Sequence, residues 1–406
     1  MLLHAERLRR IDGGVTAAQG FRAAGIHCGI KASQTRDLAL VVSENLATAT
    51  AMFTTNAVKA APVLISQEAI QSGMARAIIA NSGNANACTG PQGLADAREM
   101  VALTAQTLGV AEEYVLVAST GVIGTPLPMA AIRRGIPLLV QGLNAETRDA
   151  AEAIRTTDGF AKTAAAQVEI EGTKVVVGGM TKGAGMIHPQ MATTLAFLTT
   201  DVAIALPLLR AALRTAVNQS YNCISVDGDT STNDSIFLLA NGRAGNLPIT
   251  EAGEAFARFQ AALNAVTRDL AKMIVKDGEG ATKLVTVTVR GARSEEDAKA
   301  AVSVISTSLL VKTALAGADP NWGRVMAALG RSGATVQEDL VAISVCGIPI
   351  AQRGMGIVSS IEAAAEALRG AEIDLLIDLN LGEAAHTGWT CDLNEAYVKF
   401  NAKYTT

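Results

Sequence analysis

Short apolar runs alternate with helical stretches along the chain, and this pattern predicts a mixed α/β architecture. Four runs end in glycine, serine or asparagine, as strands that lead into loops do: residues 38–42, 77–80, 115–118 and 175–178. Between the second and the third run, the alanine-rich residues 93–108 favour a helix. Because helices and strands continue to follow one another, we expect sheets and helices packed in layers.

The strongest helical pattern lies in residues 251–274. Six apolar side chains recur there at steps of three and four and form one stripe: Phe256, Phe259, Leu263, Val266, Leu270 and Met273. Glu251 and Glu254 in the predicted first turn suit the positive end of the helix dipole. We therefore expect one face of this helix to lie against the core.

The C-terminal part of the chain shows the same alternation. Valine and threonine alternate in residues 284–289, which is typical of a strand. A helix is predicted to begin at Ser294, with Asp297 in the capping-box position. Residues 373–379 place apolar side chains on one face and two aspartates on the other. This region, from about residue 284 to 406, is predicted to be a smaller α/β unit.

The composition indicates a large core of small side chains. Of the 406 residues, 49% are hydrophobic and only 3% aromatic, 37 are glycine, and the mean hydropathy is +0.28. This hydrophobicity with a net charge of only −4 excludes a disordered chain. The sequence has no basic stripe, so we expect no nucleic-acid partner. No stretch approaches about 20 uninterrupted apolar residues, so we expect no membrane partner.

The N-terminus and the cysteines bear on the compartment. The first residues carry charges and no long apolar core, which does not fit a signal peptide. Five cysteines are scattered without a CxxC spacing, so we expect reduced thiols and neither a disulfide framework nor a zinc site. The predicted location is cytoplasmic.

Two segments resemble cofactor or metal motifs but depart from them. Residues 182–188, KGAGMIH, begin like a dinucleotide-binding fingerprint, yet His188 replaces the third glycine and Pro189 follows where a helix should run. Residues 227–234, DGDTSTND, resemble a calcium loop, but Thr232 and Leu238 stand where glycine and glutamate are required. We expect a polar turn in the second case, with no metal bound.

A threonine is the best candidate nucleophile. The chain has only four histidines and no GxSxG motif, so a base other than histidine is expected for acyl chemistry. In residues 182–201, glycines and Pro189 precede Thr193 and Thr194, which lead into an apolar run. A chain that cuts itself before a threonine frees an α-amino group with a pKa near 7.7–8.0, and this amine can act as the base. A threonine pair at the start of a strand is also common without any such chemistry.

The sequence of this segment, and of blocks along almost the whole chain, resembles the ornithine acetyltransferase family (glutamate N-acetyltransferase). The segment around Thr193 is similar to the family's self-cleavage motif. The other similar blocks follow in the same order: FTTNAVKAAPV (53–63), NSGNANACTG (81–90), STGVIGTPLPM (119–129), TTDGFAK (156–162), SVDGDTSTND (225–234), VKDGEGATK (275–283), DPNWGR (319–324) and YVKFNAKYTT (397–406).

The resemblance implies a self-cleaving enzyme. The scissile bond would be Ala192–Thr193, which gives an α chain of residues 1–192 and a β chain of residues 193–406 that remain together as an α2β2 heterotetramer. The implied fold is the layered α/β/β/α sandwich of the aminopeptidase-like self-processing hydrolases, with the smaller C-terminal α/β region. No cofactor is implied, although acetyl-CoA is left open as a second acetyl donor.

The resemblance also implies roles for particular residues. Thr120 and Gly121 match the oxyanion hole, and the matching substrate contacts are Thr156, Lys182, Thr193, Glu279, Asn401 and Thr406. Lys182 and Glu279 offer opposite charges, which suits a zwitterionic amino acid. A lysine ammonium also lowers the pKa of a nearby amine, which would help to keep the Thr193 amine neutral.

The implied reaction moves the acetyl group of N2-acetyl-L-ornithine to L-glutamate in arginine biosynthesis, through an acetyl-Thr193 enzyme. Two alternatives stay open at this point. One is an amidohydrolase or aminopeptidase on the same self-cleaving scaffold, with water as the acceptor. The other is an uncleaved protein that only binds a metabolite.

Overall fold

The computed structural model describes residues 8–188 and 194–403. Its strands are β1 (Arg9–Ile11), β2 (Phe21–Ile26), β3 (Leu38–Phe53), β4 (Met74–Asn84), β5 (Val115–Val122), β6 (Lys162–Ile170), β7 (Thr173–Lys182), β8 (Leu195–Thr200), β9 (Ile224–Ser225), β10 (Ser235–Ala240), β11 (Leu284–Ala292), β12 (Ala342–Val345), β13 (Ile348–Gln352), β14 (Met355–Gly356), β15 (Glu372–Asp378) and β16 (Ala384–Cys391). Its helices are α1 (Ala61–Ala69), α2 (Gly90–Leu108), α3 (Met129–Gln141), α4 (Arg148–Ala153), α5 (Leu206–Asn218), α6 (Glu254–Lys276), α7 (Glu295–Thr307), α8 (Leu309–Ala316), α9 (Trp322–Gly330), α10 (Ile361–Ala367) and α11 (Glu395–Asn401).

The long strand β3 joins two halves of the first sheet. Within the described residues this sheet has nine strands in the order β1-β6-β7-β8-β10-β3-β4-β5, and β2 also pairs with β3. The first half of β3 pairs with β2 and β4, and its last six residues pair with β10. A register shift between Val42 and Ala47 separates the two halves. Such an irregularity bends a strand, so β3 passes from one layer into the next.

The apolar side chains show that these two halves face each other. In β3, Val41 packs in a cluster with Phe197 of β8 and Phe237 of β10, while its neighbour Leu40 packs with residues of α1, α2 and α3. On the other side, Leu198 of β8 packs with residues of α5 and α6. The layers therefore run helix, sheet, sheet, helix, and the predicted α/β/β/α sandwich is confirmed.

A second sheet follows in the C-terminal part of the chain. Within the described residues its order is β14-β13-β12-β15-β11-β16-β9, with β11 parallel to β15 and antiparallel to β16. Its apolar core is shared with helices α7, α8, α9 and α10. Only β9 comes from a position before Leu284, and this short strand ties the second sheet to the first region.

The predicted helix at 251–274 is α6, which begins three residues later. Gly253 is the N-cap, so Glu251 lies before the helix and only Glu254 is in its first turn. Four members of the predicted stripe are buried and Phe256 and Met273 are half-buried. Ser294 caps α7 as predicted, because its hydroxyl accepts the Asp297 N–H at 3.1 Å.

Two further findings bear on the class of protein. All five cysteines are free thiols. In the part of the chain that the structure describes, no single helix has the length and apolar character needed to cross a membrane, although the bent pair α7–α8 passes on length and composition.

Candidate active site

A cavity of about 250 Å³ lies at the end of the sandwich where β5 and β7 finish. Residues predicted from the sequence that line it are Thr120, Gly121, Thr156, Lys182, Glu279 and Asn401. The other predicted residues, Ala192, Thr193 and Thr406, lie outside the described residues. The fold therefore brings together side chains as far apart in the chain as Thr120 and Asn401.

The end of β5 supplies Thr120 and Gly121. β5 runs parallel to β4, with Thr120 opposite Ser82 and Gly121 opposite Gly83. Gly121 has φ of +134°, and a Cβ added to it would lie 2.3 Å from the backbone carbon of Gly83. Only glycine fits this position, so the two strand ends stay close and the backbone of Gly121 remains open to the cavity.

Lys182 is the last residue of β7, and its side chain is hydrogen-bonded to Thr120. Its side chain is almost completely buried, and its Nζ donates to Thr120 Oγ1 at 3.1 Å. Burial lowers the pKa of Lys182, and the nearby carboxylate of Asp158 opposes this effect. Because the hydroxyl oxygen of Thr120 accepts from Lys182, its own hydrogen is free to point toward a negative oxygen in the cavity.

A buried ion cluster lies behind Lys182. The fully buried Lys162 donates to Asp158 Oδ1 at 2.7 Å and to Asp277 Oδ2 at 2.5 Å. Asp158 also accepts the N–H groups of Thr156, at 3.0 Å, and Gly183, at 2.7 Å. Burial alone would raise the pKa of Asp158, but Lys162, Lys182 and the Gly183 N–H lower it to about 2.

This cluster holds two cavity residues in place, Thr156 directly and Lys182 through the next residue. No pattern in the sequence predicts a role for Asp158, Lys162 or Asp277. The only signal that marked them was their presence inside the blocks TTDGFAK and VKDGEGATK.

Glu279 also lines the cavity. Its backbone N–H donates to Ala184 O at 3.0 Å, and its carboxylate lies against Gly185, where a Cβ would come within 2.5 Å of the carboxyl carbon. Asn401, at the end of α11, donates from Nδ2 to Glu279 Oε2 at 2.9 Å. The cavity is therefore lined by both a lysine and a glutamate side chain.

The two motif-like segments lie beside each other in the structure. Among the described residues, 183–188 form no helix. In the second segment, Asp227 accepts the N–H groups of Met186 at 2.6 Å and Ile187 at 2.9 Å. Burial raises the pKa of Asp227, and among residues 8–188 and 194–403 no group of three potential ligands is arranged to hold a metal ion.

Other side chains line the cavity without having been predicted, among them Asp227, Asn233 and Tyr397. The Tyr397 hydroxyl donates to Asp227 Oδ2 at 3.4 Å, and its proximity to Asp227 and Glu279 adds to burial in raising its pKa. The polar turn at residues 227–234 was the available signal for Asp227 and Asn233, but the sequence alone did not connect it to the cavity.

Comparison with known proteins gives one consistent result. A family model, the ArgJ family, matches residues 22–406. The chain is 49% identical over 399 residues to the arginine biosynthesis bifunctional protein ArgJ of Symbiobacterium thermophilum, with 98% of this chain and 99% of that protein covered. It is also 49% identical over 390 residues to the protein of the same name from Geobacter sulfurreducens, covering 96% and 99%.

Among solved structures, one similar chain is the ornithine acetyltransferase of Mycobacterium tuberculosis complexed with ornithine. It shares 41% sequence identity, and the match covers 46% of this chain and all of that chain with a TM-score of 0.42.

Proposed function

The chain belongs to the ArgJ family and is an acyltransferase of arginine biosynthesis, and we propose that it transfers acetyl from N2-acetyl-L-ornithine to L-glutamate through an acetyl-Thr193 intermediate. The observation that carries the proposal is the single cavity that Thr120, Gly121, Lys182 and Glu279 line together. Thr193 precedes β8 by two residues, and β8 pairs with the end of β7 that carries Lys182.

The first step activates the enzyme by cutting its own chain. The Thr193 hydroxyl attacks the carbonyl carbon of Ala192, the C–N bond breaks, and the Thr193 nitrogen takes up a proton as the acyl group moves to oxygen. Water then hydrolyses the ester and releases the Ala192 carboxylate and the Thr193 hydroxyl. The products are residues 1–192 and 193–406, and the amide nitrogen of Thr193 has become an amine.

In the transfer reaction the new amine is the base for the hydroxyl beside it. The Thr193 oxygen attacks the acetyl carbonyl, the tetrahedral oxyanion accepts hydrogen bonds from the Thr120 hydroxyl and the Gly121 N–H, and ornithine leaves with a proton. Each such donor contributes about 2.7–4 kcal/mol to the barrier reduction. Glutamate then attacks the acetyl-enzyme with its amine and leaves as N-acetyl-L-glutamate.

The charges of the cavity fit these substrates. Lys182 offers a cation for a carboxylate, and Glu279 offers an anion for an ammonium group. A cavity of about 250 Å³ has the scale of one amino acid, so both substrates use it in turn. This succession on one covalent intermediate gives ping-pong kinetics. The remaining assigned contacts are Thr156, Asn401 and Thr406.

Three finer features belong to the same proposal. Because the relatives are named bifunctional, we expect acetyl-CoA to serve as a second acetyl donor to glutamate. The two halves of the cut chain stay together as an α2β2 heterotetramer. The enzyme acts in the cytoplasm, and it needs no further cofactor.

The direct test is Thr193→Ala, examined by intact mass and by an acetyl-transfer assay. We expect one uncut chain and no detectable transfer, because both the nucleophile and the base depend on Thr193. Thr193→Ser keeps a hydroxyl and should still be cut, and Thr107→Ala on the exposed side of α2 is the matched control. An uncut wild-type protein that transfers acetyl groups would refute the mechanism.

The same assay separates transfer from hydrolysis on this scaffold, an alternative that the ArgJ relatives do not favour. Ornithine release from the acetyl donor should accelerate when glutamate is added. Release that does not depend on glutamate would support the hydrolase. Formation of N-acetylglutamate from acetyl-CoA and glutamate alone tests the second donor.

A further inference from the structure

The polar turn before β10 holds both ends of the segment that contains Thr193. Asp227, at its start, accepts the N–H groups of Met186 and Ile187. Asp234, at its end, accepts the N–H of Thr194 with Oδ1 at 2.8 Å. Asp234 is 1% exposed, so this bond is shielded from water. One turn therefore binds the chain on both sides of residues 188–193.

The Thr194 N–H is the amide of the Thr193–Thr194 peptide bond. Asp234 therefore acts on the peptide plane that Thr193 itself forms. Thr194 is held at two more points, since its hydroxyl donates to Lys182 O at 3.0 Å and its carbonyl accepts the Ser235 N–H at 3.0 Å. With these bonds, Thr194 has little freedom to rotate or shift.

The residue before Asp234 binds the oxyanion side of the site. Asn233 is 6% exposed, and its Nδ2 donates to Ala85 O at 2.6 Å and to Ser119 O at 2.9 Å. Ser119 directly precedes Thr120 in β5. Two adjacent side chains thus reach to opposite sides, Asn233 to the strand of the oxyanion donors and Asp234 to the chain that carries the nucleophile.

We propose that Asn233 and Asp234 are positioning residues that set the distance between the Thr193 hydroxyl and the oxyanion donors Thr120 and Gly121. The inference rests on the proposed function of Thr193. Neither residue needs to touch the reacting atoms. A displacement of about 1 Å of a reacting group can cost about a hundredfold in rate, so the two hydrogen-bonded anchors act on the rate and much less on substrate affinity.

The acceptor role of Asp234 Oδ1 indicates which substitution should be tolerated. Burial raises the pKa of Asp234 well above its usual range, while the Thr194 N–H and Lys182 oppose this effect. An asparagine side chain has the shape of the aspartate side chain and keeps an oxygen that can accept the Thr194 N–H. The acceptor is therefore the property that has to be retained.

The test compares Asp234→Asn with Asp234→Leu, which has the same branching and the same number of side-chain heavy atoms but no acceptor. Its matched control is Asp201→Leu, because Asp201 follows the opposite end of β8, is fully buried, and accepts the N–H groups of Val176 at 2.8 Å and Gln19 at 3.1 Å. For each full-length protein we would measure the rate of self-cleavage by intact mass, kcat and KM for acetyl transfer, and the melting temperature.

We expect Asp234→Leu to slow self-cleavage and to lower kcat by about tenfold or more, with KM changed by less than about threefold. Asp234→Asn should stay within about threefold of wild type in both rates. Asp201→Leu should lower the melting temperature and leave the kcat of the folded enzyme unchanged. If Asp234→Leu cleaves and turns over like wild type, or if Asp234→Asn is as slow as Asp234→Leu, the proposal is wrong.

A second variant covers the case in which Asp234→Leu does not fold. Asn233→Ala removes the two bonds to the β4 and β5 side, and it should lower kcat by about tenfold or more. A wild-type kcat in Asn233→Ala would then overturn the proposal. Thr193→Ala measured alongside separates the two hypotheses: if it is inactive while the positioning variants are normal, only the positioning role fails.

Discussion

Lys162 in the first region and Lys312 beside the second sheet are both almost completely buried, and they are held in different ways. Lys162 in the first sheet is bonded to the carboxylates of Asp158 and Asp277. Lys312 in α8, beside the second sheet, is bonded to Thr390 Oγ1 at 3.0 Å and to the Cys391 carbonyl. Among the described residues, no carboxylate forms an ion pair with Lys312.

The difference shows where this protein uses buried charge. In the first region the ion cluster continues through Asp158 to Thr156, Gly183 and the cavity, so the charges organise the site. In the second region the core between strands and helices is apolar, and Lys312 only joins α8 to the end of β16. The first region is therefore expected to be sensitive to loss of charge and the second to loss of packing.

The largest effect should come from Lys162→Met. It leaves two carboxylates without their buried partner, and breaking a buried ion pair in this way costs about 3–5 kcal/mol of unfolding free energy. Urea unfolding of this variant and of Lys174→Met, at an exposed position on β7, measures the difference. A loss below about 1 kcal/mol would show that the cluster does not stabilise the first region.

The packing of the second region is tested by Ile377→Ala. Ile377 in β15 is fully buried in the apolar core, so its truncation should lower the unfolding free energy by about 2–5 kcal/mol. The kcat of the folded enzyme should not change, because Ile377 does not line the cavity. Ile377→Val, with a loss of about 0.5–1.5 kcal/mol, is the graded control. A large fall in kcat would contradict the separation of the two regions.

The dependence of the unfolding free energy on pH in acid gives a second test of the ion cluster. The pKa of Asp158 is about 2 in the folded protein, below its ordinary 3.8, so its stabilisation is complete above the ordinary value and is lost as the pH falls toward 2. Between pH 5 and pH 2, wild type should lose about 2 kcal/mol more unfolding free energy than Asp158→Asn. Asp374→Asn, on the exposed side of β15, is the control and should follow wild type. Parallel curves for wild type and Asp158→Asn would refute this.

The smallest effect is expected for Lys312→Met. The Lys312 ammonium is held by neutral acceptors, so its replacement by a methionine of similar length leaves no opposite charge without a partner. The unfolding free energy should therefore stay within about 1 kcal/mol of wild type. Equal losses in Lys312→Met and Lys162→Met, measured by urea unfolding, would remove the distinction between the two buried lysines.

Local patterns predicted parts of several elements but not their ends. The sequence indicated a strand at residues 38–42, whereas β3 continues to Phe53 through the polar residues 43–45. The apolar pattern is interrupted there because the strand bends between two layers, and only the opposing sheet halves explain why it goes on. Glu251 was placed in α6 for a similar reason, since periodicity does not show that Gly253 caps the helix.

The residues of the candidate site also divide into those that the sequence predicted and those that only the structure revealed. Thr120, Lys182, Glu279 and Asn401 were found through resemblance to a family, because no spacing rule connects residues so far apart. Asp227 and Asp234 were expected only to form a polar turn, and they do lie in one. Their hydrogen bonds to Met186, Ile187 and Thr194 come from other parts of the chain and were not predictable from the turn.

By itself, the sequence determined the α/β class, the apolar face of α6, the cap at Ser294 and the shortage of histidine that favours a threonine nucleophile. These features depend on neighbouring residues, whose periodicity and side-chain chemistry can be read directly. The tertiary structure alone decided that Asp158, Lys162 and Asp277 form one buried cluster, and that Asn233 and Asp234 connect the two sides of the site. Burial and distance between remote residues set these interactions, and both arise only when the layers pack.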